Sequence, residues 1–510
     1  MTKIPLNKIV PNYALLSDVA KSSGAEVFLV GGAIRDYLIN RSESKPAHPH
    51  PDVADFDFVV FGNGDSQKLA EMWASAISGT LVVLDDVERI YRVVSKESIF
   101  DFSSPKGKDH KSDAEARDFT INSLSAKIIH KSADGPPYSA TILDPTEMGL
   151  IDIENRIIRE AHKTTFIDDP LRLVRAFRFL ATLPGFKIDK TTFRRIGRES
   201  TLVTNSAKER LRDEFVKLFS GNNSYLSIVA MDDSGLLDVI FPETKSMKGV
   251  TQNRYHSEDV WGHSLFCLKE VESIVKNPEM FFPNNCDLVT NYLNQPASGG
   301  WRRYSLIKFI ALFHDVGKPE TKGEKIDPDN INSAAKSEAT FYGHENRGAQ
   351  LFKEISKRII LGKNVVRIGA NIIKNHMRLL SLASAENVTE RAIARLVRDL
   401  GEETPGLLIL GVGDTLAGKV NTSMLERNQE LINRVLATYK KMGQPSSPVA
   451  PLLTGSEIMA ALNMEEGIKV GECKSELLLA QTTGVIKTKE EAISYLKVYL
   501  NKLMAKEKEQ

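Results

Sequence analysis

Asp55 and Asp57 lie two residues apart in ADFDFVVF, a run from Ala54 to Phe61 that alternates acidic and apolar residues. A period of two predicts a strand with one wet face, so both carboxylates point the same way. Two carboxylates on one face repel each other unless a cation sits between them. Magnesium held by two carboxylates and by substrate phosphates is the usual resolution, and a two-metal site suits in-line phosphoryl transfer. Taken alone, the pair is better explained by an ordinary strand whose wet face is acidic. Two neighbours shift that balance. Gly31-Gly32 ends the short apolar strand Val27 to Val30 and precedes a helix start, where the backbone can approach phosphate oxygens closely. Asp101, in IFDFSS, adds a third carboxylate on a later strand.

A second constellation is built on histidine. His314-Asp315 ends the apolar segment SLIKFIALF, and His263, His344, His376 and Asp414 each sit within a mostly apolar helical pattern. An unpaired imidazole or carboxylate there would cost several kcal/mol. Any one of these residues reads most simply as a satisfied core group. Six together in this order resemble the HD phosphohydrolase domain, in which His and Asp side chains from several helices hold one or two divalent metals.

The elements that must position these groups divide the chain in two. Strands are expected over 27–30, 54–61, 80–84, 91–94 and 98–102, with a helix over 66–77, which gives an α/β head on a mixed sheet. From about residue 151 the strand signals fade. Segments 170–183, 208–220, 306–318 and 490–506 carry helical periodicity, and breaks are expected near Pro242, over 277–300, over 318–337 and over 443–451. The stretch SESKPAHPHPD (42–52), with its two histidines, reads as a solvated loop. The expected class is therefore α+β. A head over 1–150 is followed by an all-α neck and body over 151–245, a histidine-bearing all-α domain over 246–425 and a helical tail over 426–510.

Composition narrows the partners. Hydrophobic residues make up 42% and charged residues 26% of the chain, ordinary globular values that exclude wholesale disorder. The 67 Lys and Arg nearly cancel the 66 Asp and Glu, so contact with nucleic acid must come from local basic patches. Three cysteines, Cys267, Cys286 and Cys473, make neither a disulfide framework nor a zinc knuckle and suit a reducing compartment. The N-terminal residues lack the pattern of a signal peptide, and no apolar run approaches 18 residues. A cytoplasmic chain without membrane association is expected.

LVGGAIRDYL followed by DFDFVVF resembles the signature of class II tRNA nucleotidyltransferases and bacterial poly(A) polymerases, a branch of the polymerase-β-like superfamily. The resemblance continues in order through ARDFTINSLSA (116–126), DPTEMGLIDIENRIIR (144–159) and FIDDPLRLVRAFRF (166–179), and more weakly through SAKERLRDEF (206–215). It implies that Gly31, Gly32 and Arg35 cradle nucleotide phosphates. Asp55 and Asp57 would hold Mg2+, with Asp101 as third carboxylate. Arg117, Asp118 and Asn122 would read the ribose, although this chain has Ala116 where the family usually has a second arginine. Asp168, Asp169 and Arg172 resemble the base-selecting block, with Asp169 and Arg172 expected on one helix face as a template for the Watson–Crick edge of CTP or ATP. Without the resemblance an ordinary surface ion pair would explain them. Arg172, Arg175 and Arg178 form a stripe suited to nucleotide or RNA phosphates.

The histidines resemble the HD phosphohydrolase domain. His263, His314, Asp315 and Asp414 would be the minimal ligands of a divalent metal of undetermined identity, with His344 and His376 lining the site or binding a second ion. Metal-bound water would there hydrolyse phosphoesters. The tail (452–496) resembles the ends of HD-bearing family members and is expected to contact tRNA.

The resemblance implies addition of CMP and AMP to the tRNA 3′ end from CTP and ATP, with tRNA as partner and no DNA. The rivals are poly(A) polymerase, CC-only or A-only addition, and an HD phosphohydrolase with an RNA-binding head. The first lacks support in LDDVERIYRVV, which has no GRRFR-like basic stretch. A regulatory uridylyltransferase would lack the ordered DDPLR and RDFTIN blocks.

Overall fold

The computed structural model describes residues 2–42, 54–62, 65–130, 138–252, 258–325, 338–418, 422–443, 451–465, 467–482 and 485–508. Apart from Ser42, which ends a helix, the loop 42–52 and its histidines lie outside the described residues, as do 326–337 and 444–450 of the expected breaks. The chain falls into two compact units, Met1–Ile240 and Phe241–Gln510.

The first unit is built on an eight-stranded sheet. Its strands are β1 (Lys3–Pro5), β2 (Glu26–Val30), β3 (Ala54–Phe61), β4 (Thr80–Asp85), β5 (Ile90–Val94), β6 (Ser98–Ser103), β7 (Ser125–Lys127) and β8 (Ser139–Leu143). They are ordered β1-β8-β7-β2-β3-β6-β5-β4. Only the β3–β6 pair is parallel, so the sheet is mixed as expected. That pair places Asp57 opposite Asp101, Phe56 opposite Phe100 and Phe58 opposite Phe102. One face is therefore aromatic and the other acidic. The aromatic face packs under the helix Ser66–Ile77, whose Trp73 meets Phe100 edge-on at 5.2 Å. On the acidic face a small cluster of Phe28, Val30, Val59 and Phe61 buries the far end of β3. His110 lies against the Phe28 and Phe61 rings at 4.4 and 4.0 Å. Asp55 and Asp57 remain exposed beside it.

In the same unit the helix Arg172–Thr182 packs against Lys208–Ser220 and Ser224–Asp233, with Phe177, Phe215 and Phe219 fully buried. The expected all-α character holds apart from short ribbons, such as Ile157–Ile158 with Lys187–Ile188.

In the second unit, the helices Val260–Lys276, Arg303–Phe313, His344–Arg358, Lys363–Ala383 and Thr404–Ala417 enclose an apolar core. Gly413 permits one close approach, since a Cβ there would lie 2.5 Å from Val271. The expected break over 277–300 is corrected. It contains the helices Pro278–Phe281 and Cys286–Asn294, because Val289, Tyr292 and Leu293 form a buried stripe that outweighs the Asn and Pro content. The tail helices Gly455–Leu462, Ile468–Thr482 and Lys489–Lys508 close over their own core of Leu453, Ile458, Cys473, Leu477 and Leu496. No described helix is long and apolar enough to cross a membrane.

Candidate functional site

The acidic face of the sheet opens into a cleft of about 1320 Å³. Gly31, Gly32, Arg35, Asp55, Asp57, Arg117, Asp118, Asn122, Arg172, Arg175 and Arg178 all line it, so the structure gathers most of the expected nucleotide residues in one place. Gly31 has φ +75°, and a Cβ there would sit 3.5 Å from an Asp57 oxygen. It is the left-handed backbone, rather than the contact, that favours glycine at this turn. The first turn of the helix Gly32–Ser42 follows at once, with its backbone N–H groups beside the cleft.

The arginines are held by a network. Arg35 Nη1 donates to Asn122 Oδ1 at 2.6 Å, and Asn122 Nδ2 donates to Asp118 Oδ1 at 2.9 Å. Arg175 bridges Asp118 (3.3 Å) and Glu214 (3.0 Å), and Arg178 reaches the other oxygen of Glu214 at 3.0 Å. Burial raises the Asp118 pKa, but Arg175 and the Asn122 hydrogen bond outweigh it and hold it below the usual range. Burial pushes Arg178 down to about 10. Burial, followed by the charges of Asp101 and Asp55, pushes Asp57 up to about 6. Asp57 still meets the water of the cleft, which screens part of that shift. Burial and then the charge of Asp101 raise both carboxylates, so Asp55 and Asp57 are a donor set short of a cation and fit a divalent metal.

Three placements depart from expectation. Asp101 is engaged by a bidentate pair with Arg92 at 2.8 and 2.7 Å. Asp169 does not share a helix face with Arg172. It is extended (φ −145°, ψ 97°) just before the helix, caps Leu171 N–H and pairs with Arg210 at 2.7 Å. The proline at 170 explains this, because it disfavours helical backbone in the preceding residue. Arg172 is buried and donates to the carbonyls of Ala116 (2.7 Å) and Arg117 (3.1 Å), joining the expected base and ribose blocks. Asp168, Asp169, Arg172 and Arg210 line a side pocket of about 480 Å³, which shares Lys106, Ala116 and Arg172 with the cleft.

Sequence reasoning missed Asp113 and Glu214. Asp113 accepts from Arg117 at 3.0 Å, and its four-residue spacing was the available signal. Glu214 shares the buried helical face of Leu211, Phe215 and Leu218, where an acid is an anomaly that calls for partners.

In the second unit all six expected residues converge. Ligand atoms of His263, His314 and Asp414 lie within 4.8 Å of one another, and those of Asp315, His344 and His376 form a second such group. All are buried except Asp414, which is 22% exposed. His263 Nε2 stands 2.8 Å from Asp414, and His314 Nε2 stands 3.3 Å from Asp315 and 3.6 Å from Asp414. His314, His344 and His376 each donate Nδ1–H to the carbonyl three residues earlier, at 2.7–2.8 Å. This fixes the tautomer, so each neutral ring aims its Nε2 lone pair inward. Nε2 of His344 and of His376 then meet at 3.2 Å. Two facing lone pairs require a cation or a proton between them, so this donor set fits a metal. Burial disfavours charge on His314, but Asp315 and Asp414 overcome it and push its pKa up to about 10. Burial lowers His376. Lys318, which the sequence did not single out, lies 2.6 Å from Asp315 and donates to Gln252 at 2.7 Å.

The cleft, with its paired carboxylates and its arginines, defines a nucleotidyl-transfer class of protein, and the six-residue centre adds a helical domain whose side chains could hold a metal. Residues 27–159 match the family described as the poly A polymerase head domain, 185–248 the probable RNA and SrmB-binding site of polymerase A, and 300–416 the HD domain. Over these three stretches the chain is similar to the tRNA nucleotidyltransferase and poly(A) polymerase family in its HD-bearing form. It is 29% identical to the A-adding tRNA nucleotidyltransferase of Deinococcus radiodurans, covering 92% of this chain and 94% of that protein. It is 28% identical to the CC-adding tRNA nucleotidyltransferase of Thermus thermophilus, covering 92% and 93%. The Thermotoga maritima CCA-adding enzyme complexed with tRNA shares its fold, with a TM-score of 0.60 at 18% identity, covering 98% of this chain and 100% of that one.

Proposed function

We propose that the chain adds CMP and AMP, taken from CTP and ATP, to the 3′ end of tRNA and releases pyrophosphate. The observation that carries this reading is the single cleft in which the glycine turn, Asp55 and Asp57, the Asp118–Asn122 pair and the Arg172 pocket meet. Its volume exceeds the roughly 300–1,000 Å³ of a small-molecule site, leaving space for an RNA end beside a triphosphate. In this reading the Gly31-Gly32 turn, the helix amides and Arg35 hold the phosphates. Asn122 and Asp118, flanked by Arg117, orient the ribose, and Arg175 and Arg178 add positive charge. Asp169 and Arg172 read the base edge from the side pocket. Asp55 and Asp57 would hold Mg2+, which supplies stabilisation of charge at the reacting phosphate. The terminal ribose hydroxyl of tRNA attacks the α-phosphorus of the bound nucleotide, and the chain's part is to align the two in a near-attack geometry. The reading divides the chain into a head (1–150), a neck and body (151–245), an HD domain (246–425) and a tRNA-contacting tail (426–510), acting in the cytoplasm.

The test offers purified protein three tRNA transcripts, ending before each of the three terminal nucleotides, with labelled CTP or ATP. Extension of all three supports full addition. Extension of only the shorter two identifies a CC-adding enzyme, and extension of only the longest an A-adding one. Long tails of A identify poly(A) polymerase, and no extension overturns the reading.

The HD centre favours a second reaction, hydrolysis of phosphoesters. His263, His314, Asp315, His344, His376 and Asp414 would hold one or two divalent ions, whose chemistry when bound would be to make a water more acidic and so a better nucleophile. Hydrolysis of p-nitrophenyl phosphate or a 2′,3′-cyclic nucleotide with Mn2+, Ni2+ or Mg2+ tests it, and absence of turnover with every metal refutes it.

A further inference from the structure

Asp101 is already occupied within the protein. Arg92 on β5 is its direct cross-strand partner, and the guanidinium Nε and Nη2 each bind one oxygen of its carboxylate. Asp101 in turn stands opposite Asp57 in the parallel β3–β6 pairing. Arg92, Asp101 and Asp57 are therefore neighbours across three strands on one sheet face, with Asp55 two residues along β3. On β3, β5 and β6 that face carries the carboxylates of Asp55, Asp57 and Asp101 and the guanidinium of Arg92, and the Arg117 guanidinium also acts on Asp57. A fork-to-fork pair engages both carboxylate oxygens in a defined plane, and it is the strongest form of such a contact. The Asp101 side chain is 15% exposed and that of Arg92 32%, so the pair is partly shielded from water. Asp55 and Asp57 line the cleft, while the three carboxylates form no group of ligand atoms within 4.8 Å among the described residues.

We propose that Arg92 is a positioning residue that withholds Asp101 from the divalent cation of the head, leaving a weak two-carboxylate site made by Asp55 and Asp57. The inference rests on the reading of the head as a divalent-metal site. Magnesium keeps several waters and is commonly bound by one or two carboxylates together with substrate phosphates. A site weakened in this way fills when the triphosphate brings its own oxygens, so metal and nucleotide arrive together. Removing Arg92 frees a third carboxylate and deletes a competing cation, which tightens metal binding in the absence of nucleotide. Removing Asp101 instead releases the guanidinium towards Asp55 and Asp57, where it competes with the metal. The two single substitutions therefore act in opposite directions, which a purely structural pair would not do.

The experiment titrates the full chain with Mn2+ alone, without nucleotide or tRNA, and follows free Mn2+ by electron paramagnetic resonance. Each variant is repeated in an Asp57→Asn background, which subtracts ions held by the HD centre. Arg92→Gln should tighten the head site by about tenfold, the order expected from one unit charge close to a divalent ion. Asp101→Asn should weaken it, and the double variant should return near the wild type. In metal-free buffer Arg92→Gln should melt earlier than wild type, and Mn2+ should restore the difference. Unchanged or weaker Mn2+ binding by folded Arg92→Gln, or shifts of the same sign in both single variants, overturns the inference. If Arg92→Gln does not fold, Arg92→Lys keeps the charge but loses the fork, and it should tighten binding by a smaller factor; no change overturns the proposal. A wild type with no Mn2+ site sensitive to Asp57→Asn would remove the head-metal reading itself, and this inference with it.

Discussion

In the head, Asp55 and Asp57 come from one strand, two residues apart, and face a wet cleft of about 1320 Å³. In the second unit six candidate ligands come from helices or helix ends spread over 151 positions of sequence, and five of the six are buried. The open site balances its charges with protein cations, Arg92 on Asp101, Arg117 on Asp113 and Arg175 on Asp118. Such pairing suits a site whose ligands come and go. Among the described residues Lys318 is the one close lysine partner of the buried site, which otherwise sets histidine lone pairs and carboxylates side by side, an arrangement suited to a resident ion. On the proposed reading, the head would hold a transient cation and the helical centre a retained one, by different physical means.

The largest expected effect separates the two regions outright. Asp55→Asn or Asp57→Asn should lower nucleotide addition by about 10³-fold or more, the scale of losing a metal's stabilisation of charge at the reacting phosphate. Ester hydrolysis by the HD centre should be unchanged. Incorporation by both variants above a tenth of the wild-type rate would break the metal-ligand role of these carboxylates.

The converse substitution comes next. His314→Ala with Asp315→Ala removes a ligand from each triad and should lower ester hydrolysis by about 10²-fold or more, while CTP and ATP incorporation stays near normal. Chelation should lower the melting temperature of the wild type more than that of the double variant, since only the wild type retains its ion. Parallel loss of both activities in a folded variant would mean that the sites are not independent.

These contrasts also explain what could be read in advance. Period-two alternation exposed β3 and the shared face of Asp55 and Asp57, because a strand one face deep in water leaves that pattern in its own residues. The histidines were legible for a related reason, as polar residues inside apolar helices demand a purpose. Partners chosen across elements were not legible. Nothing local in KERLRDEF says that Glu214 meets Arg175 and Arg178, and nothing in IYRVV says that Arg92 meets Asp101. Strand register and helix packing make those contacts. The misplacement of Asp169 was avoidable, because Pro170 already argued against helical backbone there.

Glu214 sharpens the open side of the comparison. It is buried and binds Arg175 and Arg178 through different oxygens. Glu214→Gln leaves the two arginines without their shared counter-charge and should destabilise the first unit by about 2 kcal/mol. Its effect on catalysis should appear as a raised KM for CTP and ATP with kcat less changed, because on the proposed reading the arginines would hold ground-state phosphates as well as the transition state. An unaltered melting temperature together with an unaltered KM would show that water already satisfies these arginines.

The smallest effect concerns base choice, and it bears on whether the open site discriminates by charge or by shape. Arg172 donates to the carbonyls of Ala116 and Arg117, while its Nε finds no hydrogen-bond partner among the described residues. Asp169 is paired with Arg210 across the same pocket. A base entering the pocket could accept from Arg172 and donate to Asp169, and a mismatched edge would leave one of them unsatisfied. An unsatisfied buried group costs roughly 1–3 kcal/mol, and each 1.4 kcal/mol is one decade in rate. Arg172→Ala should therefore reduce discrimination of CTP and ATP against UTP and GTP by about tenfold, more than it slows incorporation of the correct nucleotide. The measurement is kcat/KM for all four ribonucleotides on tRNA lacking its terminal residues. The rival outcome is equally specific. If Arg172 serves only to tie the two backbone carbonyls, Arg172→Ala will keep wild-type selectivity and lower kcat/KM for all four nucleotides by one common factor, and the base edge must then be read by other groups.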